Sequence, residues 1–160
     1  MARHRNGCSG GWDETGRAPA EGNTINVPFP RGCGDAEYLA AYREICAPAV
    51  RRFRPDLILV SAGFDAHFAD QLAQELVSTR AYYEIASGLK QLADELCGGR
   101  IVYALEGGYD LTAISWSAHA CIDTLLGNPF TPDPLGGGPE VRGPDVSTLL
   151  ERIKQLHGLG

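Results

Sequence analysis

Two carboxylates and an imidazole follow a short apolar run in the first half of the chain. The run covers residues 57–60, and the polar side chains beyond it are Asp65, His67 and Asp70. Such a run predicts a strand buried on both faces, as in parallel sheets. Ligands of open α/β sheets bind beyond the carboxyl ends of strands, so these residues are candidates for a metal or acid–base site. The alternative is that Asp65 caps a helix and the other two are solvated loop residues.

A second candidate stretch, residues 106–109, follows another predicted buried strand at residues 100–105. Gly107 and Gly108 permit a positive φ or a close approach of the backbone to a ligand. Tyr109, placed after such a turn, could donate a hydrogen bond to an oxyanion formed during acyl transfer. The alternative is a tight strand-to-helix turn with Tyr109 packed on the surface. A phosphate site or a Rossmann-type nucleotide site is disfavoured, because neither G-x-G-x-x-G nor a P-loop lysine is present.

The two stretches carry more information together than apart. One helical crossover separates them, so neighbouring parallel strands would bring Asp65 and Tyr109 to one crevice. A metal at Asp65 could polarise a carbonyl and activate water, and Tyr109 would stabilise the tetrahedral oxyanion. The sequence therefore predicts the electrophilic half of a metal amidohydrolase.

Alternating helices and strands must position these residues. Apolar spacing and cap or stop residues predict helices at residues 36–53, 80–97 and 111–126, and a last one after Asp145. Asp35 is the predicted cap of the first helix, and Pro48 should kink or split it. Residues 24–28 are a weaker strand candidate, stopped by Pro28. The order indicates an α/β protein with parallel strands, forming part of a doubly wound sheet.

Composition excludes several classes of protein. The chain has 160 residues and a net charge of −6, which argues against a nucleic-acid-binding surface. No apolar run approaches the ~20 residues of a membrane span. Five scattered cysteines form no C-x-x-C pair, and no signal peptide precedes them, so we expect reduced thiols in a cytoplasmic protein. These cysteines are Cys8, Cys33, Cys46, Cys97 and Cys121.

Three motifs resemble those of one known family. They are N-V-P-F-P-R-G-C-G-D at residues 26–35, S-A-G-F-D-A-H at residues 61–67 and L-E-G-G-Y-D-L at residues 105–111. Their order and spacing resemble the zinc-dependent histone deacetylase family, particularly its class II-like branch with the bacterial acetoin-utilisation and acetylpolyamine amidohydrolase proteins. The resemblance extends from about residue 10 to residue 127.

The resemblance implies a fold, a reaction and roles for four residues. The family fold is a three-layer α/β domain of the arginase/deacetylase type around a mostly parallel sheet. The family removes acetyl groups from lysine side chains or polyamines with zinc-activated water. By resemblance, Asp65 is a zinc ligand, Tyr109 hydrogen-bonds the substrate carbonyl and the oxyanion, and Gly107 and Gly108 line the acetyl pocket. No catalytic role is assigned to His67 or Asp70.

The chain also departs from the family pattern. The upstream D-x-H motif, with two further zinc ligands, and the catalytic histidine pair are absent. The chain has four histidines. His4 lies in a polar leader, His119 falls inside a helix where a core or surface role is expected, and His157 is placed in a mobile tail. The chain therefore resembles the carboxy-terminal half to third of a deacetylase.

The expected function follows from the match and the departure together. Residues 1–127 are interpreted as the carboxy-terminal part of a deacetylase catalytic domain, and residues 128–160 as a Pro/Gly-rich excursion and terminal helix of that domain. The expected activity is zinc-dependent hydrolysis of acetyl-lysine or acetylpolyamine amides, by a fragment whose partner is a complementary amino-terminal half. The alternative is a non-catalytic remnant that serves as a binding or regulatory module.

Overall fold

The computed structural model describes residues 10–159, so His4 and Cys8 lie outside the described part. Within these residues, five α-helices and two strands follow one another. The helices are α1 (Asp35–Ala41), α2 (Ala47–Phe53), α3 (Thr79–Cys97), α4 (Leu111–Leu126) and α5 (Ser147–His157), with a π-helical segment (Tyr42–Cys46) joining α1 to α2. The strands are β1 (Ile58–Ala62) and β2 (Ile101–Leu105).

The two strands pair directly and in parallel, as the alternation of elements predicts. Ile58 lies opposite Ile101, and Ala62 lies opposite Leu105. Helix α3 connects the strands and α4 follows β2, each within one residue of its predicted start. Both helices end at a glycine in the left-handed conformation, Gly98 and Gly127. Glycine adopts this conformation without steric cost, which is why these helix ends are readable from sequence.

The first helical segment contains the predicted irregularity at Pro48. Residues 35–53 remain helical throughout, but the π-helical segment Tyr42–Cys46 widens the turn just before Pro48. A proline cannot donate a hydrogen bond to the carbonyl four residues earlier, and its ring crowds that carbonyl. Inserting one extra residue into the turn is a common way to relieve this conflict. The chain is therefore distorted locally and not split.

The prediction that Asp35 caps α1 is wrong. Gly34 occupies the N-cap position, and its amide donates to the Glu37 carboxylate at 2.8 Å. Asp35 instead accepts hydrogen bonds from the Ser78 amide at 2.7 Å and the Ser78 hydroxyl at 2.6 Å. Ser78 caps α3 by accepting a bond from the Ala81 amide. Asp35 therefore joins the start of α1 to the start of α3.

The weak strand candidate at residues 24–28 is also wrong, because these residues form no regular strand. The side chains of Ile25 and Val27 pack against the cluster between α1 and α5 instead of entering a sheet. The Asn26 side chain donates to the carbonyls of Gly11 and Glu14 at 3.0 and 3.3 Å. The segment is thus an extended loop that is anchored by side chains.

All the helices that pack on the sheet lie on the same face of it. Ile58 and Ile101 contact the α3 side chains in one cluster, and Tyr103 belongs to a second cluster with α4. On the opposite face, Leu59 is 72% exposed and Val102 is 52% exposed. The expectation that both strands are buried on both faces is therefore wrong, because no element among residues 10–159 covers this face.

The carboxy-terminal helix is well packed, which corrects two sequence expectations. Val146 rather than Asp145 occupies the N-cap of α5, although the Asp145 carboxylate accepts a bond from the Ser147 amide at 2.9 Å. His157 does not lie in a mobile tail, since it belongs to α5 and is buried. The cluster beneath α5 is lined by Cys33, Ala41, Ile45, Val146, Leu150, Ile153 and Leu159.

Among residues 10–159, none of the helices combines the length and hydrophobicity that crossing a bilayer requires. The cysteines of this range are all unpaired thiols: Cys33, Cys46, Cys97 and Cys121.

Gly88 is required by the packing of α3 on the π-helical segment. A Cβ at this position would overlap the ring of Tyr42. Alanine in a helix interior is normally favoured over glycine by about 1 kcal/mol, whereas overpacking costs about 1–3 kcal/mol. We expect Gly88→Ala to lower the free energy of unfolding by up to about 2 kcal/mol, measured by urea denaturation. Ser87→Ala, the neighbouring control, should not destabilise the chain, and a Gly88→Ala variant more stable than the parent would contradict the packing argument.

Candidate active site

The loops that follow β1 and β2 are joined where the strands end. The Glu106 amide donates to the Ala62 carbonyl at 3.0 Å, and the Phe64 amide donates to the Gly107 carbonyl at 2.8 Å. The hydrogen-bond pattern of the sheet thus continues for about two residues into both loops. This continuation holds the two candidate stretches side by side, as expected for the ends of neighbouring parallel strands.

The Asp65 carboxylate lies against the backbone of Gly107. A Cβ built on Gly107 would come within 2.8 Å of Asp65 Oδ2, and one built on Gly63 within 3.2 Å of Oδ1. Glycine at both positions therefore makes room for the carboxylate. Asp65 is half-buried and accepts no hydrogen bond from residues 10–159. Its oxygens are available to a ligand, and Asp65 does not cap a helix.

Tyr109 lies at the surface end of the second loop. Tyr109 is 67% exposed, so little packing holds its ring in place. Gly108, which precedes it, has a φ of +128°, and a Cβ there would lie 2.8 Å from a side-chain carbon of Ile114. Both the backbone conformation and the close approach of α4 therefore require glycine at this position. The structure brings Gly107 against Asp65, and Tyr109 follows two residues later.

Asp70 connects the two loops, a role that the sequence reasoning missed. It is 4% exposed, and its Oδ2 accepts bonds from the amides of Tyr109 at 2.6 Å and Asp110 at 3.0 Å. Its Oδ1 accepts a bond from the Leu72 amide at 2.9 Å. Burial by itself would raise the pKa of Asp70, but the three backbone donors outweigh it and the pKa lies below its ordinary value. The alternative of a solvated loop residue is wrong for Asp70.

His67 is fully buried, so the same alternative is wrong for it. Its Nδ1 accepts a bond from the Ala69 amide at 3.1 Å, which leaves Nε2 as the protonated nitrogen that donates to Thr79 Oγ1 at 3.1 Å. Burial, the largest influence, lowers the pKa of His67, so the ring is held in its neutral form. Both ring nitrogens are engaged within the fold, and His67 cannot serve as a metal ligand in this arrangement.

His119 lies on α4, with its side chain half exposed. Its Nδ1 is 3.4 Å from an Asp123 carboxylate oxygen, and its ring packs edge-on against Trp116. These neighbours are on the same helix, one turn away. His119 therefore sits on a helix surface, apart from the loops that carry Asp65 and Tyr109.

The donors present do not make up a complete zinc site. In residues 10–159, no three His, Cys, Asp or Glu side chains come together in a group that could hold a metal ion. Catalytic zinc is normally held by three protein ligands with one position open. Asp65 offers one carboxylate of the kind that zinc accepts, and the neighbouring imidazole of His67 is engaged elsewhere.

An open depression of about 560 Å³ lies beside Tyr109. Its walls are formed by Ala69, Asp70, Gln71, Leu72, Tyr109 and Asp110. Asp65 is not part of these walls, so the depression alone does not join the carboxylate to the phenol in one enclosed pocket.

Comparison with known proteins identifies the origin of this arrangement. Residues 6–125 match the family model described as the histone deacetylase domain. The chain belongs to the histone deacetylase family. It is 43% identical to the chloroplastic histone deacetylase 14 of Arabidopsis thaliana over 130 residues, which is 79% of this chain and 31% of the relative. It is 42% identical to histone deacetylase 7 of Homo sapiens, over 93% of this chain and 16% of that protein.

Solved structures of histone deacetylases also have the fold of this chain. The crystal structure of the HDA15 HD domain superimposes with a TM-score of 0.77 at 34% identity, covering 93% of this chain and 38% of that one. The structure of the histone deacetylase Clr3 gives a TM-score of 0.79 at 31% identity, covering 92% of this chain and 24% of that one. The predicted fold class, a partial domain of the arginase/deacetylase type, is confirmed. The chain spans between 16% and 38% of the relatives and structures compared.

Proposed function

We propose that this chain is the carboxy-terminal part of a zinc-dependent deacetylase that hydrolyses acetyl-lysine or acetylpolyamine amides. The observation that carries the proposal is the contact between the Asp65 carboxylate and Gly107, at the point where the two strand ends are joined. This contact sets a carboxylate with available oxygens two residues from the tyrosine of the family motif.

Each proposed role follows from the chemistry of the side chain concerned. Asp65 would contribute one ligand to a zinc ion whose other ligands do not come from residues 10–159. Tyr109 would donate its hydroxyl to the substrate carbonyl and to the oxyanion that forms from it. A positioned donor of this kind stabilises the transition state more than the ground state. Gly107 and Gly108 would leave room for the acetyl group beside the phenol.

The exposed face of the sheet indicates that a partner chain covers it. Leu59 and Val102 lie opposite one another in register and are both largely exposed. Parallel sheets are normally covered by helices on both faces. We infer that a complementary amino-terminal part of a deacetylase domain covers this face and supplies the missing ligands and the catalytic base. The uncovered face also argues against the alternative of a free-standing binding module, which would leave these side chains in water.

Three further expectations belong to the same proposal. Residues 1–127 would be the catalytic-domain part and residues 128–160 an excursion and terminal helix of the same domain. Substrates would be acetylated lysine proteins or acetylpolyamines, without nucleic-acid or membrane partners. The unpaired thiols support a reducing compartment, and we propose the cytoplasm.

A chimaeric domain tests the proposal. The matching 38% of the HDA15 HD domain is replaced by this chain, and hydrolysis of an acetyl-lysine peptide is compared with the parent domain. We expect the chimaera to be active and Asp65→Asn to lower its turnover by at least about 100-fold. Replacing a residue that only hydrogen-bonds to a metal ligand typically costs about 10- to 100-fold in activity, so the loss of a ligand should cost more. Zinc content should fall in parallel.

The matched control is Asp94→Asn. Asp94 lies on the surface of α3, where it pairs with Lys90. This variant should retain the activity and zinc content of the chimaera. A chimaera that folds and binds zinc but hydrolyses neither the peptide nor an acetylpolyamine, or an Asp65→Asn variant with full activity, would refute the proposal.

A further inference from the structure

The Tyr109 side chain is only weakly packed by residues 10–159, so these contacts restrain the direction of its ring little. The residue is 67% exposed and follows two glycines, which are the most conformationally permissive residues. A hydrogen-bond donor for an oxyanion must nevertheless be held close to one position, because a small displacement weakens the bond in the transition state. The backbone at Tyr109 must therefore be restrained by another group.

The Asp70 carboxylate supplies that restraint. One oxygen accepts bonds from two successive amides, those of Tyr109 at 2.6 Å and Asp110 at 3.0 Å. Asp110 in turn caps α4 by accepting a bond from the Ala113 amide at 2.8 Å. The backbone at Tyr109 is thus fixed between a buried carboxylate and the first turn of a helix. Bonds between a buried carboxylate and amides are among the stronger hydrogen bonds in proteins.

The same carboxylate is fixed to its own loop. Its second oxygen accepts a bond from the Leu72 amide at 2.9 Å, and the Asp70 amide donates to the His67 carbonyl at 2.8 Å. His67 is buried and engaged by both ring nitrogens, so this part of the loop is rigid. Asp70 therefore links the loop that carries Asp65 to the loop that carries Tyr109.

We propose that Asp70 is a positioning residue that sets the placement of Tyr109 relative to Asp65 by holding the amides of residues 109 and 110. The inference rests on the proposed deacetylase function for its catalytic consequence. The contacts themselves do not depend on that function, so the two ideas can be tested separately.

The first test measures amide hydrogen exchange in the full 160-residue chain, with Asp70→Asn as the variant. The asparagine side chain has a single acceptor oxygen and carries no charge, so it cannot satisfy both sets of donors. We expect the amides of Tyr109 and Asp110 to exchange at least about 10-fold faster, while the strand-end amides of Phe64 and Glu106 keep their protection. Unchanged exchange at residues 109 and 110 in a folded variant would overturn the inference.

The second test uses the active chimaera described above. We expect Asp70→Asn to lower kcat about 10- to 100-fold with little change in KM, because the substrate still binds while the phenol is displaced. In a Tyr109→Phe background, Asp70→Asn should cause no further loss, since a positioning residue acts only through the group that it positions. Asp70→Glu, which retains the carboxylate, should recover part of the activity. Losses that add independently, or an unchanged kcat, would overturn the inference.

Asp35→Asn is the matched control. Asp35 is also a carboxylate that accepts two hydrogen bonds from a residue far along the chain, Ser78, but it does not touch the loop of Tyr109. This variant should leave the exchange at residues 109 and 110 and the kcat unchanged. An inactive parent chimaera would count against the deacetylase function alone, because the exchange measurement would still decide whether Asp70 holds the loop.

Discussion

Tyr109→Phe is expected to lower the turnover of the chimaeric deacetylase about 100- to 1,000-fold, the range measured for removing one oxyanion donor. Phenylalanine keeps the ring and the surface position but removes the hydroxyl proton that the proposed mechanism requires. KM should change much less than kcat, because the lost hydrogen bond forms most strongly in the transition state. Steady-state kinetics with an acetyl-lysine peptide measures both constants.

Tyr83→Phe is the control for this substitution. The Tyr83 hydroxyl also donates one hydrogen bond, to the Asn128 carbonyl at 2.9 Å, but it lies between α3 and the segment after α4. Its loss should leave kcat unchanged. Full turnover in the Tyr109→Phe variant, with an intact zinc content, would remove Tyr109 from the mechanism.

Substitutions on the exposed face of the sheet are also expected to have a large effect, on the binding of the proposed partner. We expect Leu59→Lys combined with Val102→Lys to weaken binding to a separately produced amino-terminal portion of the HDA15 HD domain by more than about 100-fold. Burying each apolar side chain contributes roughly 1.5–3 kcal/mol, and burying an unpaired ammonium group in its place opposes association. Isothermal titration calorimetry with the two separate chains measures the dissociation constant.

The control adds the same charge elsewhere. Gln91 and Gln155 are exposed on α3 and α5, and replacing both by lysine leaves the sheet unchanged. This control should bind the amino-terminal portion as the parent chain does. If the Leu59→Lys and Val102→Lys pair binds equally well, the partner does not cover this face.

Sequence patterns predicted the elements whose signals are local. Helices α3 and α4 have serine or aspartate at one end and glycine at the other, and their bounds were predicted to within one residue. The proximity of the loops after β1 and β2 was also predictable, because it follows from the order of two parallel strands. In contrast, Leu59 and Ile58 are both apolar strand residues, and no local pattern distinguishes the covered face from the uncovered one.

The part of the candidate site that escaped prediction depends on distant contacts. Asp70 accepts hydrogen bonds from backbone amides that are 39 and 40 residues away. Every residue except proline has such an amide, so the amino-acid sequence does not indicate which amides will be the donors. The buried His67 ring is hydrogen-bonded to Thr79, 12 residues later at the start of α3. The position of Asp35 before a helix predicts a local capping role, but its carboxylate accepts hydrogen bonds from Ser78, 43 residues away.

The packing of α5 bears on where this domain ends as a folding unit. The family match stops at residue 125, yet Ile45 in the π-helical segment is buried beneath Leu150 and Ile153 of α5. Cutting the chain after Gly127 would uncover this cluster and leave α1 with apolar side chains in water. The region that defines membership of the family is therefore shorter than the region that must be present for its first helix to remain in place.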